Sequence, residues 1–174
     1  MMRVPVPHRK RSLAHKQILA IVFLCASALA QAQLIPRATN LLQLGRLAAA
    51  RHVPIVLLFW SPTCHYCAIV ERDFLDPETQ EPRYRSVLYR RIDIASHKTL
   101  VDFSGHQTTE AAFAAYYHLT LVPVLWFVNA QGKPLAHPLI GLSTPAFYGA
   151  YLDDAIQKAE LACAKTITHH LINK

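Results

Sequence analysis

Residues 53–67 read VPIVLLFWSPTCHYC and contain the clearest structural pattern of the chain. Its first eight residues form a continuous apolar run rich in β-branched and aromatic side chains, which is typical of a strand buried on both faces. Ser61-Pro62 breaks this run, and the residues from about Thr63 to Leu75 have the pattern of a helix that ends at an Asp-Pro pair. Cys64 and Cys67 therefore open a helix directly after a buried strand.

The remaining elements extend outward from this stretch. Asn40 with Gln43 predicts a capping box that opens a helix ending near Arg51. The other predicted segments are strands at 87–94, 124–128 and 134–140, a turn at 129–132, a helix at 109–118 capped by Thr108, an irregular loop at 95–107, and a last helix from Thr144-Pro145. This order predicts an α/β domain with a central mixed sheet flanked by helices.

The last predicted helix carries an apolar stripe. The stripe consists of Tyr148, Leu152, Ile156, Ala159 and Cys163. We expect Cys163 to pack as a small buried hydrophobe, with a regulatory or intermolecular thiol as the alternative.

Residues 1–32 have the pattern of a secretory signal peptide. Residues 1–17 contain five basic and no acidic residues, and a 13-residue apolar run follows at 18–30. The run is shorter than the roughly 20 residues that span a bilayer, and Ala-x-Ala triplets at 28–30 and 30–32 end it. We therefore expect export to the periplasm and a domain at 33–174. An uncleaved signal would instead anchor the protein in the inner membrane.

The formal net charge of +7 belongs largely to that segment. Without residues 1–32 the chain has 13 Lys and Arg against 11 Asp and Glu, a net charge of +2. We therefore expect no nucleic-acid partner. The local basic group formed by Arg83, Arg85, Arg90 and Arg91 is interpreted as a solvated face.

The cysteine pair carries the predicted chemistry. A helix N-terminus stabilises the thiolate of Cys64, and the thiolate is the nucleophile of thiol–disulfide exchange. Cys67, one turn further along, is placed to attack the resulting mixed disulfide and release the partner. A charged His65 would stabilise the thiolate further and make the pair more oxidising.

Two other interpretations of the pair stay open. Half of a zinc site has the same spacing, although the chain has no second C-x-x-C and its histidines are scattered. The other alternative is an inert structural disulfide. The tight spacing of the two cysteines argues against it, because such a small loop favours a labile bond. We predict neither a metal nor a cofactor.

A wider set of motifs resembles the thioredoxin family. These motifs follow one another in the family's order over nearly all of 33–174. They are Phe59-Trp60, then SPTCHYC, RRIDI at 90–94, Leu121-Val122-Pro123, and glycines at 132 and 141. The resemblance implies that the Val122–Pro123 bond is cis, that Pro123 lies against the cysteine pair, and that the Val122 backbone pairs with a substrate chain. A trans proline that starts an edge strand is the alternative. Trp60 would lie beside the active site, with His65 and Tyr66 tuning it.

The chain also departs from ordinary thioredoxins. His65-Tyr66 stands where Gly-Pro is usual, and Leu58 stands where the family has a buried Asp that assists proton transfer to the inner cysteine. The missing acid indicates that this role is lost, or that it passes to water or to Glu71. Around the motif, the sequence is similar to bacterial periplasmic thioredoxin-like proteins.

Together these features predict an exported, monomeric thiol–disulfide oxidoreductase that acts on the thiols and disulfides of envelope proteins. The resemblance narrowly favours the reductive direction, which needs a membrane redox partner as electron donor, whereas His65 favours the oxidative one. A non-catalytic module that holds a partner protein or a soft metal such as Cu(I) through the cysteines is the alternative. Residues 33–174 contain no Met, which argues against the metal. A structural subunit with vestigial cysteines is a third possibility.

Overall fold

The computed structural model describes residues 35–76 and 86–172, with side chains up to residue 165. The predicted signal peptide at 1–32 lies outside the described residues. No helix of the described part is long and apolar enough to cross a membrane.

A four-stranded mixed sheet forms the centre of the domain. Strand β1 (Ile55–Trp60) pairs in parallel with β2 (Leu88–Asp93) and antiparallel with β5 (Val124–Val128), and β5 pairs antiparallel with β6 (Leu139–Ile140). The order across the sheet is β2-β1-β5-β6. Because β1 lies in the middle and is covered on both faces, its apolar run is continuous rather than alternating. The predicted α/β class with a mixed central sheet is confirmed.

Helices cover the two faces of the sheet. Helix α1 (Leu41–Arg51) and helix α3 (Glu110–Tyr116) pack on one face, where they meet Leu57 and Phe59 of β1. Helix α2 (His65–Ile69) leads into a π-helical segment (Val70–Leu75), and this segment packs with helix α4 (Pro145–Ile172) on the other face. Successive β1 side chains thus enter two different cores, since a strand alternates its faces.

The helix predicted at 63–75 is not α-helical throughout. It is α-helical only over His65–Ile69 and continues as a π-helix over Val70–Leu75. The apolar pattern could not reveal this change, because the two helical periods diverge little over six residues.

The prediction of an irregular loop at 95–107 is wrong in part, since a β-hairpin begins within it. Strands β3 (Thr99–Val101) and β4 (Gln107–Thr109) pair antiparallel, and the Asp102 carboxylate accepts the backbone N–H groups of Ser104 and His106 in the turn. The hairpin ends in α3, whose cap is Thr109 rather than the predicted Thr108.

The strand predicted at 134–140 is shorter than expected. Pro134 makes a single bridge to Val128, and the chain rejoins the sheet only at Leu139–Ile140. Pro134 and Pro138 have no N–H to donate, which limits a continuous ladder.

The last helix begins at Pro145, as predicted. The predicted stripe residues Tyr148, Leu152, Ile156 and Ala159 are buried. Cys163 is a free thiol that is half-buried rather than buried. Burial and the nearby Glu160 both raise its pKa.

Candidate active site

Cys64 and Cys67 form a disulfide at the N-terminus of α2. Cys64 is the N-cap residue, and its Sγ accepts a hydrogen bond from the backbone N–H of Cys67 at 3.1 Å. Cys64 is half-buried, whereas Cys67 is 1% exposed. The outer sulfur is therefore the accessible one, and it sits where unpaired N–H groups and the helix dipole stabilise negative charge.

The Val122–Pro123 bond is cis, as predicted. The carbonyl oxygen of Val122 lies 3.8 Å from the Sγ of Cys64, and the carbonyl oxygen of Pro123 accepts the N–H of Gly141 at 2.8 Å. The fold thus brings together the cysteine pair, the segment before β5, and the residue after β6.

Exposed apolar side chains lie within or directly beside each of these three segments. Tyr66 lies between the cysteines and is 59% exposed, Leu121 precedes Val122 and is 68% exposed, and Ile140 precedes Gly141 and is 60% exposed. We call these three residues the apolar rim. His65 is also exposed, and its ring centroid is 5.9 Å from that of Tyr66.

Trp60 lies at the end of β1, four residues before Cys64. The Arg91 guanidinium stands 4.5 Å from the centroid of its ring, in cation–π geometry. The indole Nε1 of Trp60 is buried and has no hydrogen-bond partner within the described part of the chain. The other tryptophan, Trp126, packs on the opposite face of the sheet against Phe59.

Glu71 is a buried acid in the π-helical segment that continues α2. It follows Cys67 by four residues. Its Oε1 accepts a hydrogen bond from Arg91 Nη1 at 2.9 Å, and the backbone N–H of Ile35 also donates to it. Burial raises the pKa of Glu71; Arg91 opposes this rise, and Asp76 adds to it.

Arg91 is the residue of this site that sequence reasoning missed. The structure corrects the interpretation of Arg90 and Arg91 as a solvated face, since both are half-buried. Arg91 pairs in register with Leu58, so it lies beside the position where the family has its buried Asp. The alternation of side chains along RRIDI would place Arg90 and Arg91 on opposite faces, and this was the available signal.

The described residues hold no cluster of three or more His, Cys, Asp or Glu side chains that could bind a metal ion.

The sequence matches the model of the thioredoxin-like domain family over residues 45–156, and this chain belongs to that family. The match runs from α1 into α4 and includes the cysteine pair and Val122–Pro123. A thioredoxin-like domain with a C-x-x-C disulfide indicates a thiol–disulfide redox role.

Solved thioredoxin structures resemble this chain. The thioredoxin of Fasciola hepatica is 17% identical with a TM-score of 0.50, over 72% of this chain and 99% of that one. The oxidised mitochondrial thioredoxin 3 of Saccharomyces cerevisiae is 18% identical with a TM-score of 0.48, over 71% and 93% of the two chains. At such identities the likeness concerns the fold alone. No curated protein sequence matches this chain significantly.

Proposed function

We propose that this protein is an exported thiol–disulfide oxidoreductase that acts on envelope proteins, preferentially as a reductase. The observation that carries the proposal is the asymmetry of the disulfide: Cys64 is accessible at a helix N-terminus, and Cys67 is buried behind it. Such an arrangement favours one attacking sulfur and one resolving sulfur.

The reductive cycle starts from the dithiol. The Cys64 thiolate attacks one sulfur of a substrate disulfide, and the other substrate sulfur leaves as a thiolate and takes up a proton. Cys67, after losing its proton, attacks the Sγ of Cys64. The Cys64–Cys67 bond forms, and the second substrate sulfur leaves as a thiolate, so that two electrons have passed to the substrate. Run backwards, the same steps oxidise a substrate dithiol.

Substrate binding is assigned to the surface around Cys64. The Val122 backbone lies next to the reacting sulfur and can hydrogen-bond to an extended substrate segment. The apolar rim can bury apolar side chains that flank the substrate cysteine. The Val122 backbone and the apolar rim support a polypeptide rather than a small thiol as the substrate.

Export rests on the sequence of residues 1–32, with its basic start, short apolar run and Ala-x-Ala triplets. An oxidising compartment would return the pair to the disulfide, so a reductase there needs electrons from a membrane donor.

Trapping of mixed disulfides tests the exchange mechanism. Cys67→Ser removes the resolving sulfur, and we expect it to accumulate covalent adducts with envelope proteins that a reductant releases. Cys64→Ser is the matched control and should trap none. Both variants should also carry Cys163→Ser, which removes the remaining thiol of the domain at 33–174. Equal trapping by the two variants, or none by either, would contradict the mechanism and favour a binding module.

Direction needs a separate measurement. A reduction potential of the Cys64–Cys67 pair close to that of the most strongly oxidising disulfide catalysts would overturn the reductase assignment.

A further inference from the structure

Arg90 lies on the face of the sheet opposite to Arg91. The two residues are adjacent in β2, and Arg90 pairs in register with Leu57, whose side chain belongs to the core under α1. Arg91 instead reaches Trp60 and Glu71 on the face covered by α2. The sheet therefore separates Arg90 from Glu71, the acid that pairs with Arg91.

Among the described residues Arg90 has no acidic partner, in contrast to the other half-buried arginines near β2. Arg37 pairs with Glu110 and Asp93, and Arg91 pairs with Glu71. The guanidinium of Arg90 donates to the backbone carbonyl of Tyr89 at 2.6 Å, and within residues 35–76 and 86–165 it makes no ion pair. Burial is the cause of a lowered pKa of Arg90.

A cavity of about 340 Å³ opens beside this arginine. Thr39, Asn40 and Gln43 line it with polar groups, and Leu44 and Leu47 of α1 form apolar parts of its wall. Its volume lies at the lower end of the range for small-molecule pockets. The first turn of α1 contains no acidic residue that could neutralise Arg90 from this side.

We propose that this cavity, the Arg90 pocket, binds a small oxyanion: the carboxylate or phosphate group of a soluble molecule. A half-buried guanidinium without a counter-charge among the described residues is unfavourable, and its planar fork matches two oxygens of a carboxylate or phosphate. The polar groups of Thr39 and Gln43 can serve the rest of the ligand. This site is independent of the disulfide chemistry, because it lies on the opposite face of the sheet from Glu71 and α2.

Ligand titration of the full chain in its oxidised form tests the pocket. Inorganic phosphate and acetate are titrated separately at constant ionic strength, with chloride as the reference anion, and backbone amide chemical shifts are followed. We expect saturable shifts at Thr39, Asn40 and Gln43 with at least one of the two oxyanions. Phosphate-only and acetate-only responses would identify the preferred group. No saturable shift with either anion would overturn the proposal.

Two variants locate the binding group. Arg90→Gln should weaken binding at least tenfold, and Arg90→Lys, which keeps the charge but not the fork, should weaken it several-fold. Arg46→Gln is the matched control, because Arg46 is exposed on α1 and does not line the cavity. Unchanged affinity in Arg90→Gln, or an equal loss in Arg46→Gln, would contradict the assignment.

Discussion

The Sγ of Cys64 lies 3.8 Å from the carbonyl oxygen of Val122, a residue 58 positions further along the chain. The contact exists because β1 and β5 are neighbours in the sheet, so the turn after β1 and the segment before β5 meet at one edge. A substrate chain that pairs with the Val122 backbone would therefore place its own sulfur next to Cys64.

Substitution in the apolar rim should lower activity toward proteins but not toward small disulfides. Leu121→Ser or Ile140→Ser removes apolar area that a polypeptide can bury, and a loss of about 1 kcal/mol corresponds to roughly a five-fold fall in kcat/KM. The measurement is reduction of a protein disulfide compared with reduction of a small aromatic disulfide. Leu161→Ser, at an exposed position on α4, is the control and should change neither rate. A parallel fall with both substrates would argue against a role for the rim in docking.

Arg91→Gln should destabilise the protein in a pH-dependent way. Without Arg91 the buried Glu71 carboxylate loses its counter-charge, which we expect to cost about 1–3 kcal/mol at pH 7. Burial already raises the folded-state pKa of Glu71, and removing Arg91 raises it further. An acid with a raised folded-state pKa binds its proton more tightly in the folded state, so the lost stability returns as the pH falls through that pKa.

Urea unfolding of Arg91→Gln at pH 7.5 and pH 5 measures this effect. Adding Glu71→Gln to Arg91→Gln should recover most of the stability at the higher pH. Arg72→Gln, which breaks the exposed ion pair with Asp73, serves as the control and should change stability little. A loss that is independent of pH would show that Arg91 acts through packing on Trp60 rather than through Glu71.

Arg37→Gln should cause a large loss of stability. Glu110 is fully buried at the start of α3, and Arg37 donates to both of its carboxylate oxygens at 2.9 and 2.8 Å. Removing the cation leaves a buried carboxylate, at a cost of about 2–4 kcal/mol. Chemical denaturation followed by circular dichroism checks this value. The exposed pair between Lys158 and Asp154 provides the comparison, since Lys158→Gln should cost less than about 1 kcal/mol.

Two helical glycines should respond in opposite directions to alanine. A Cβ at Gly45 would overlap the carbonyl oxygen of Ala130, whereas a Cβ at Gly149 would meet only Phe74 Cδ1, at 3.9 Å. Gly45→Ala should therefore destabilise by about 1–3 kcal/mol. Gly149→Ala should stabilise by up to about 1 kcal/mol, because alanine favours the helix. Thermal unfolding of both variants gives the comparison, and similar Tm shifts would contradict the close approach of α1 to Ala130.

Prediction from sequence succeeded where the signal was local. The apolar run before Cys64 predicted β1, Asn40 predicted the start of α1, and Thr144-Pro145 predicted the start of α4. It failed where a short element depends on its neighbours. The β3–β4 hairpin has three residues in each strand, and the π-helical turn has a period too close to that of the α-helix.

Local sequence patterns were enough to specify the family and to locate the cysteine pair. A buried strand followed by a C-x-x-C helix, with Val122-Pro123 before a later strand, is a set of local patterns that can be read along the chain. The electrostatic surroundings of the cysteine pair depend on long-range packing and could not be predicted from local patterns. Glu71, Arg91 and Trp60 come from three separate elements, and their contacts depend on strand register and on how the helix packs over the sheet. The same holds for Arg90, whose lack of an acidic partner among the described residues depends on where the fold places each acid.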